Sequence, residues 1–185
     1  MAIDFIKRNG NYFAFFICLI FLITAFFSVQ GKFWEGLKLS GSALTSDEVS
    51  HIPAGFYYLK TKQYYINTEH PLLIKDVSAV PLLFLNLNLP KIPEVNKYDN
   101  IQWGFGRDFL FNAGNNPDII SFWSRTAVIL LNTLLLFLSY YFLKKTFGII
   151  PALLAIFFLA FSPNVIAHAS LVVFDVPFAF LSLIS

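Results

Sequence analysis

The sequence has 185 residues, of which 57% are hydrophobic and 13% charged, and its mean hydropathy is +0.65. Soluble domains carry about 25% charged residues, so this composition excludes an ordinary soluble domain and indicates an integral membrane protein. The net charge of +2 does not support a nucleic-acid partner, and the single cysteine, Cys18, excludes a disulfide framework within the chain.

The first apolar segment runs from 12 to 29, after a short polar stretch that carries Lys7 and Arg8. It is longer than the apolar core of a signal peptide, which has roughly 7–15 residues, and no small-residue cleavage pattern follows it. We therefore predict a retained spanning helix over 12–29. The two basic residues place its N-terminus in the cytoplasm, because basic residues favour that side.

A second apolar segment, at 72–89, contains two charges and an internal proline, so it has no uninterrupted run of about 18 apolar residues. If it crossed the membrane, the next spanning helix would place the basic pair Lys144-Lys145 outside, against the positive-inside rule. We therefore expect 72–89 to lie along the outer interface, with Lys75 extending to the lipid head groups. The region 30–120 then forms one large outer loop.

Two further spans are predicted at about 122–143 and 149–166, and Ser162-Pro163 should bend the second of them. Another apolar segment begins at 176 but is shorter than the roughly 20 residues of a spanning helix, so we expect an N-terminal portion of a longer protein. The predicted fold class is an all-α polytopic membrane protein. It has three full spans, the start of a fourth, and interfacial helices in the outer loop between the first two spans.

The outer loop opens with a cluster of ionisable residues around Asp47 and Glu48. On a helix, His51 lies four residues after Asp47 and three after Glu48, so it can meet either carboxylate. A carboxylate oriented in this way is a candidate general base. Alternatively, Thr45 and Glu48 form a capping box, in which Glu48 only holds the start of a helix. The spacing favours Glu48 as the structural member and leaves the question open.

A second cluster consists of Glu69, His70 and, five residues after His70, Lys75. Pro71 disfavours a helical conformation for His70, which predicts a loop at this point. His70 and Lys75 are candidate phosphate ligands, and His70 is also a candidate partner of carboxylates around a cation. The alternative, which the spacing alone favours, is an interfacial loop with a solvated acid and a lysine that reaches the head groups.

The remaining candidates are two arginines and a histidine–aspartate combination. Arg107 lies among aromatic residues and can pair with Asp108. Arg125 opens a spanning helix, where a guanidinium requires a carboxylate or phosphate partner. His168 and Asp175 are expected at the outer face, and Asp175 also fits the N-cap of the last helix.

These motifs, in this order, resemble the membrane glycosyltransferases of the GT-C fold. The resemblance is to the protein O-mannosyltransferase-like group (glycosyltransferase family 39) and the related aminoarabinose lipid A transferases. It covers nearly the whole chain and is carried by Asp47-Glu48, Asn67-Thr68-Glu69-His70-Pro71, Lys75, Phe105-Gly106-Arg107-Asp108-Phe109-Leu110, Arg125, Ser162-Pro163-Asn164, Ala167-His168 and Asp175. One departure is Leu72, which stands where the family has a second proline.

The resemblance implies transfer of a hexose, mannose-like, from a polyprenyl-phosphate-linked donor to a protein, lipid or glycan acceptor on the extracytoplasmic side, with inversion. It also implies a multi-pass protein of the bacterial plasma membrane. Asp47 would be the catalytic base or the carboxylate that orients the acceptor, with Glu48 beside it. The donor phosphate would be bound by His70, Lys75 and Arg125. The residues expected to support the site are His51, Glu69, Arg107, His168 and Asp175.

A second hypothesis comes from another class of protein: a non-catalytic, truncated membrane protein that binds polyprenyl lipids or assists a cell-envelope glycan assembly complex. A transporter is disfavoured, because the ionisable residues gather in the outer loop rather than within spans. The sequence requires no cofactor. Its acids and histidines permit a divalent cation, but no ligand spacing demands one.

Overall fold

The computed structural model describes residues 2–29, 43–92 and 101–184, and within these ranges the regular structure is entirely helical. The elements are α1 (Ala2–Val29), α2 (Ser46–Thr61), α3 (Leu72–Ala79), a 3-10 turn (Pro81–Phe84), α4 (Ile101–Arg107), a π-helical turn (Asp108–Asn112), α5 (Pro117–Phe147), α6 (Ile149–Ala160), α7 (Pro163–Ala169) and α8 (Asp175–Ile184). The parts of the predicted outer loop at 30–42 and 93–100 lie outside the described residues.

Two helices are long and apolar enough to cross a membrane. They are the 26 residues Asp4–Val29 of α1, whose most apolar 18-residue window has a mean hydropathy of 2.5, and the 31 residues Pro117–Phe147 of α5, whose corresponding window has a mean hydropathy of 1.9. The predicted spans at 12–29 and 122–143 lie within them. The segment 72–89 forms α3, the 3-10 turn and extended chain, and it is not among the helices that could span.

The predicted third span is a broken helix. α6 and α7 are bent by 69° at the break before Pro163, so the described residues contain two helices that could span a membrane, or three candidate spans if this bent pair counts as one. Ser162 has an extended backbone, and Pro163 opens α7 where its missing N–H costs nothing. The bend therefore lies where Ser162-Pro163 predicted it. α8, the predicted start of a fourth span, is a shorter apolar helix.

The chain separates into two compact units. The first comprises Met1–Ser28, Ile129–Ser170 and Asp175–Ser185, and the second comprises Val29–Val128 and Leu171–Phe174. The predicted chemistry is divided between them: His168 and Asp175 belong to the first unit, and the other candidate residues belong to the second.

The first unit is held together by small residues and by polar groups that bond between helices. Ala14, Ala152 and Ala160 are buried in its core, where small side chains allow helix backbones to approach closely. Asn132 of α5 donates a hydrogen bond of 2.9 Å to the Ala169 carbonyl. Such bonds satisfy polar groups that lipid cannot solvate.

The second unit is built around α2, whose residues from Ser50 to Tyr58 are buried. Glycines allow α3 and α4 to pack closely against it. A Cβ at Gly55 would overlap the backbone carbonyl of Lys75, and a Cβ at Gly106 would overlap that of Val49. Pro53 removes the N–H that would otherwise bond the Val49 carbonyl within α2. The backbone of α4 therefore approaches α2 where its helical ladder is interrupted.

Candidate functional site

Glu48 is fixed at the first turn of α2. Its Oε2 accepts hydrogen bonds of 2.9 Å from the Thr45 backbone N–H and 3.0 Å from the Thr45 hydroxyl. The bond to the backbone is the Glu half of the predicted capping box, so the structural interpretation of Glu48 is correct.

The same carboxylate forms a buried, two-point ion pair with Arg125. Arg125 donates from Nε to Oε1 at 2.7 Å and from Nη2 to Oε2 at 2.6 Å, and neither side chain is exposed to solvent. The Val172 N–H adds a bond of 3.2 Å to Oε1. Burial raises the pKa of Glu48, but the hydrogen bond and charge of Arg125, together with the backbone donors, outweigh it and lower that pKa.

This ion pair corrects two expectations. Glu48 does not pair with His51, and it stays ionised with both oxygens occupied, which does not suit a base that faces a substrate. The sequence predicted a carboxylate or a phosphate as the partner of Arg125, and the partner in the structure is the carboxylate of Glu48. The Nη2 of Arg125 also donates to the Ala43 carbonyl at 3.0 Å. We therefore assign Arg125 to the scaffold of the second unit and not to a donor phosphate.

His51 is buried one turn further along α2. Its Nδ1 lies 3.1 Å from the Val172 carbonyl oxygen, and because a carbonyl can only accept, Nδ1 carries the proton. Burial lowers the pKa of His51, as do the charges of Lys75 and His70, while the Val172 carbonyl and Asp47 act in the opposite direction. The ring is therefore held neutral. In this tautomer Nε2 carries no proton and can accept a hydrogen bond.

His70 forms a three-ring cluster with His51 and Phe174. Its ring stacks on Phe174 at 4.8 Å between centroids and 24° between planes, and it meets His51 edge-on at 5.3 Å. His51 in turn meets Phe174 edge-on at 4.7 Å. His70 is exposed whereas His51 is only 4% exposed, so His70 presents an imidazole to solvent above a buried one.

Lys75 is fully buried, so the expectation that it reaches the lipid head groups is wrong. Its Nζ donates to the Asn67 carbonyl and to Asn67 Oδ1, both at 2.7 Å, and to the His70 carbonyl at 2.8 Å. Burial lowers the pKa of Lys75 to about 8, against the opposing charges of Glu69 and Asp76. The loop before α3 folds over this lysine and supplies oxygen atoms that take the place of water.

Other candidates in the second unit are exposed. Asp47 lies in the first turn of α2, next to the ion-paired Glu48, and its negative charge acts to raise the pKa of His51. Glu69 accepts a hydrogen bond of 3.1 Å from Gln102 of α4, and Arg107 lies exposed at the end of that helix.

In the first unit, the side chains of His168 and Asp175 are in contact, with 3.3 Å between Nδ1 and Oδ2. Their side chains are 53% and 76% exposed, so the interaction is weakened by water. The sequence predicted both residues but not the pairing. It arises because the short α7 ends before Asp175 opens α8, and no spacing rule covers such a turn.

Sequence reasoning missed the roles of Asn67 and Phe174. Asn67 supplies two of the three oxygen atoms around Lys75, and its position at the head of the Glu69-His70 motif was the available signal. Phe174 supports both histidine rings, and nothing in its local sequence distinguishes it from the other phenylalanines of the chain.

The second unit thus combines the exposed carboxylate of Asp47 with the exposed imidazole of His70, on a scaffold of buried ionic and hydrogen-bonded groups. In the part of the chain that the structure describes, no three residues of the types His, Cys, Asp and Glu come together as metal ligands. Comparison with protein-family models, with curated proteins and with solved structures finds no match.

Proposed function

We propose that the chain forms part of a membrane glycosyltransferase of the GT-C type, which transfers a sugar from a polyprenyl-phosphate donor to a hydroxyl acceptor. The observation that carries the proposal is the difference between two adjacent carboxylates. Glu48 is buried in its ion pair, and Asp47, one residue away, is exposed on the helix turn that this ion pair fixes.

Asp47 acts as the base in this proposal. A carboxylate held by a rigid helix can take the proton of an acceptor hydroxyl as the oxygen attacks the anomeric carbon of the sugar. The departing group is a phosphate, so the reaction does not need the second, protonated carboxyl that a glycosidase needs for a poor leaving group. One base therefore suffices, and direct displacement inverts the anomeric configuration.

His70 is the group that meets the donor phosphate. It is exposed, and a protonated imidazole can stabilise negative charge as the phosphate departs. Phe174 and His51 hold its ring in place from behind. Lys75 and Arg125 are not part of this contact, because both side chains are fully buried and donate to oxygens of the protein. Their roles are to hold the loop and the helix that carry the reactive groups.

The proposal also states on which side of the membrane the N-terminus and the second unit lie. The N-terminus of α1 lies in the cytoplasm, because Lys7 and Arg8 precede its apolar run, and α2 to α4 lie on the extracytoplasmic side, where lipid-linked sugars are presented. The plasma membrane of a bacterium fits this arrangement.

The test is a transfer assay on the full-length gene product in native-like membranes. Radiolabelled polyprenyl-phosphate hexoses are supplied, and label is followed into protein, lipid and glycan fractions. Transfer to any of the three fractions supports the proposal. Absence of transfer from every hexose donor contradicts it, and retention of labelled donor without transfer would instead support the non-catalytic lipid-binding hypothesis.

A further inference from the structure

All three hydrogens of the Lys75 ammonium have an acceptor within the protein. The three oxygens are the Asn67 carbonyl, Asn67 Oδ1 and the His70 carbonyl, at 2.7, 2.7 and 2.8 Å from Nζ. An ammonium has three donors and no acceptor, so Lys75 has none left for a phosphate. Its side chain is also fully buried. A direct contact between Lys75 and a lipid-linked donor would require these bonds to break.

The oxygens come from the two ends of one short loop, the segment 67–70. Tyr58 holds the first end as well: its hydroxyl donates to the Asn67 carbonyl at 2.7 Å and accepts from the Asn67 N–H at 2.8 Å. At the second end, the His70 carbonyl accepts a hydrogen bond from Lys75, and the His70 ring stacks on that of Phe174. The hydrogen bond from Lys75 fixes the backbone of His70.

We propose that Lys75 is a positioning residue: its ammonium closes the loop 67–70 and thereby holds the His70 ring over His51, where it meets the donor phosphate. This inference rests on the proposed function for its last step, the contact with phosphate. Its first step, the closure of the loop, concerns the protein alone.

The surroundings of Lys75 make the closure sensitive to its charge. A neutral amine keeps two N–H donors for three oxygen acceptors, so loss of the proton breaks at least one bond of the loop. Glu69 and Asp76 are the acidic groups that act on Lys75, and neither replaces the three neutral oxygens around Nζ. Lys75 and His51 are also close enough for the charge of Lys75 to act on His51.

The experiment follows the exposure of His51 in the full-length protein. Each histidine is labelled with diethyl pyrocarbonate, and the labelled peptides are quantified by mass spectrometry. In the parent at neutral pH, we expect the exposed His70 and His168 to be labelled and the buried His51 to be protected. In Lys75→Met, which keeps the length of the side chain but has no ammonium, we expect His51 to be labelled at least five-fold faster relative to His168.

Chemical rescue and a graded variant complete the test. In Lys75→Ala, n-propylammonium can fill the space of the missing side chain and supply three donors, so it should restore His51 protection, whereas n-propanol should not. When Lys75 loses its proton at raised pH, the loop should open and His51 should lose its protection. In Asn67→Asp a carboxylate replaces a neutral oxygen and favours the charged ammonium, so this loss should occur at a higher pH than in the parent. Lys91→Met removes an exposed lysine and should change neither result.

The activity of the same proteins separates the two proposals. If transfer is present, Lys75→Met should raise the KM for the donor at least ten-fold, and n-propylammonium should lower it again in Lys75→Ala. If the parent transfers no sugar, the proposed function fails, while the labelling of His51 still tests the closure of the loop. Unchanged His51 labelling in Lys75→Met, or equal effects of propylammonium and propanol in Lys75→Ala, overturns the inference.

Discussion

Glu48 and Arg125 are 77 residues apart in the chain and meet in a two-point ion pair with oxygen–nitrogen distances of 2.7 and 2.6 Å. Neither side chain is exposed. The pair joins the start of α2 to α5, and the backbone N–H groups of Thr45 and Val172 complete the bonding of the carboxylate. The two charges are buried away from water and compensate each other. Removal of either one should therefore lower the free energy of unfolding by far more than the intact pair contributes to it.

We therefore expect Glu48→Gln to lower the free energy of unfolding by about 3–5 kcal/mol, since it leaves a buried guanidinium without a counter-charge. Thermal unfolding of the detergent-solubilised protein measures the change. The double variant Glu48→Leu with Arg125→Met removes both charges and should recover most of the loss, because apolar residues often replace a buried ion pair without penalty. Equal melting temperatures for the parent and Glu48→Gln would contradict the structural role of the pair.

The neighbouring carboxylate gives the opposite prediction. Asp47→Asn should leave the melting temperature unchanged, because Asp47 is exposed, and should reduce sugar transfer by about 10²–10⁴-fold, which is the usual contribution of a general base. Transfer rates with saturating labelled donor provide the measurement. Asp118→Asn, which changes an exposed acid in the first turn of α5, is the matched control and should retain activity. An Asp47→Asn protein that turns over at the parental rate would exclude Asp47 as the base.

The sequence predicted the elements that depend on local properties. Apolar run length identified the spans in α1 and α5, and the Ser162-Pro163 pair identified the break between α6 and α7, because hydropathy and proline geometry act within a few residues. The broken third span shows the limit of this reasoning. Mean hydropathy over 149–166 does not reveal that the backbone turns by 69°.

The candidate site could be predicted only as a set of residues. The choice of partner for Arg125, carboxylate or phosphate, depends on a contact across 77 residues, which no local spacing encodes. Lys75 illustrates the same point: a lysine on an apolar segment can extend to water or be enclosed, and the fold of the loop 67–70 decides between them. In both cases the sequence supplied the side chain, and the tertiary structure supplied its partner.

The buried His51 should make the stability of the protein fall at acid pH. Its pKa in the folded protein is lowered, mainly by burial, whereas an unfolded histidine titrates near 6.5. Between these two values the unfolded chain binds a proton that the folded protein does not, so stability decreases as the pH falls below about 6.5. The charges of Lys75 and His70 act in the same direction, and Asp47 opposes them.

The measurement is the melting temperature between pH 7.5 and 5.5. In His51→Asn the side-chain amide can take the place of Nδ1–H and donate to the Val172 carbonyl without titrating, so the decrease with acid should be smaller than in the parent. His168→Asn is the control: it alters a histidine whose side chain is 53% exposed and should not change the decrease in melting temperature at acid pH. If the parent and His51→Asn lose stability in parallel, the acid sensitivity has another source.

Two glycines of α4 provide a matched test of how closely this helix packs against α2. A Cβ at Gly106 would overlap the backbone carbonyl of Val49, and backbone cannot move aside as a flexible side chain can. A Cβ at Gly104, in the same helix, would meet nothing within 4 Å. Gly106→Ala should therefore destabilise the protein by about 1–3 kcal/mol, the usual cost of overpacking.

Gly104→Ala should instead stabilise the protein by about 0.5–1 kcal/mol, because alanine loses less backbone entropy than glycine when a helix forms. Thermal unfolding of the two variants in the same detergent gives the comparison. The separation of α2 and α4 also affects the site, because Gln102 of α4 bonds to Glu69 of the loop that carries His70. Gly106→Ala should thus weaken donor binding as well as stability, whereas Gly104→Ala should leave donor binding unchanged. The two alanine substitutions should change the stability in opposite directions. Equal effects would mean that α4 does not pack closely on α2 in the folded protein.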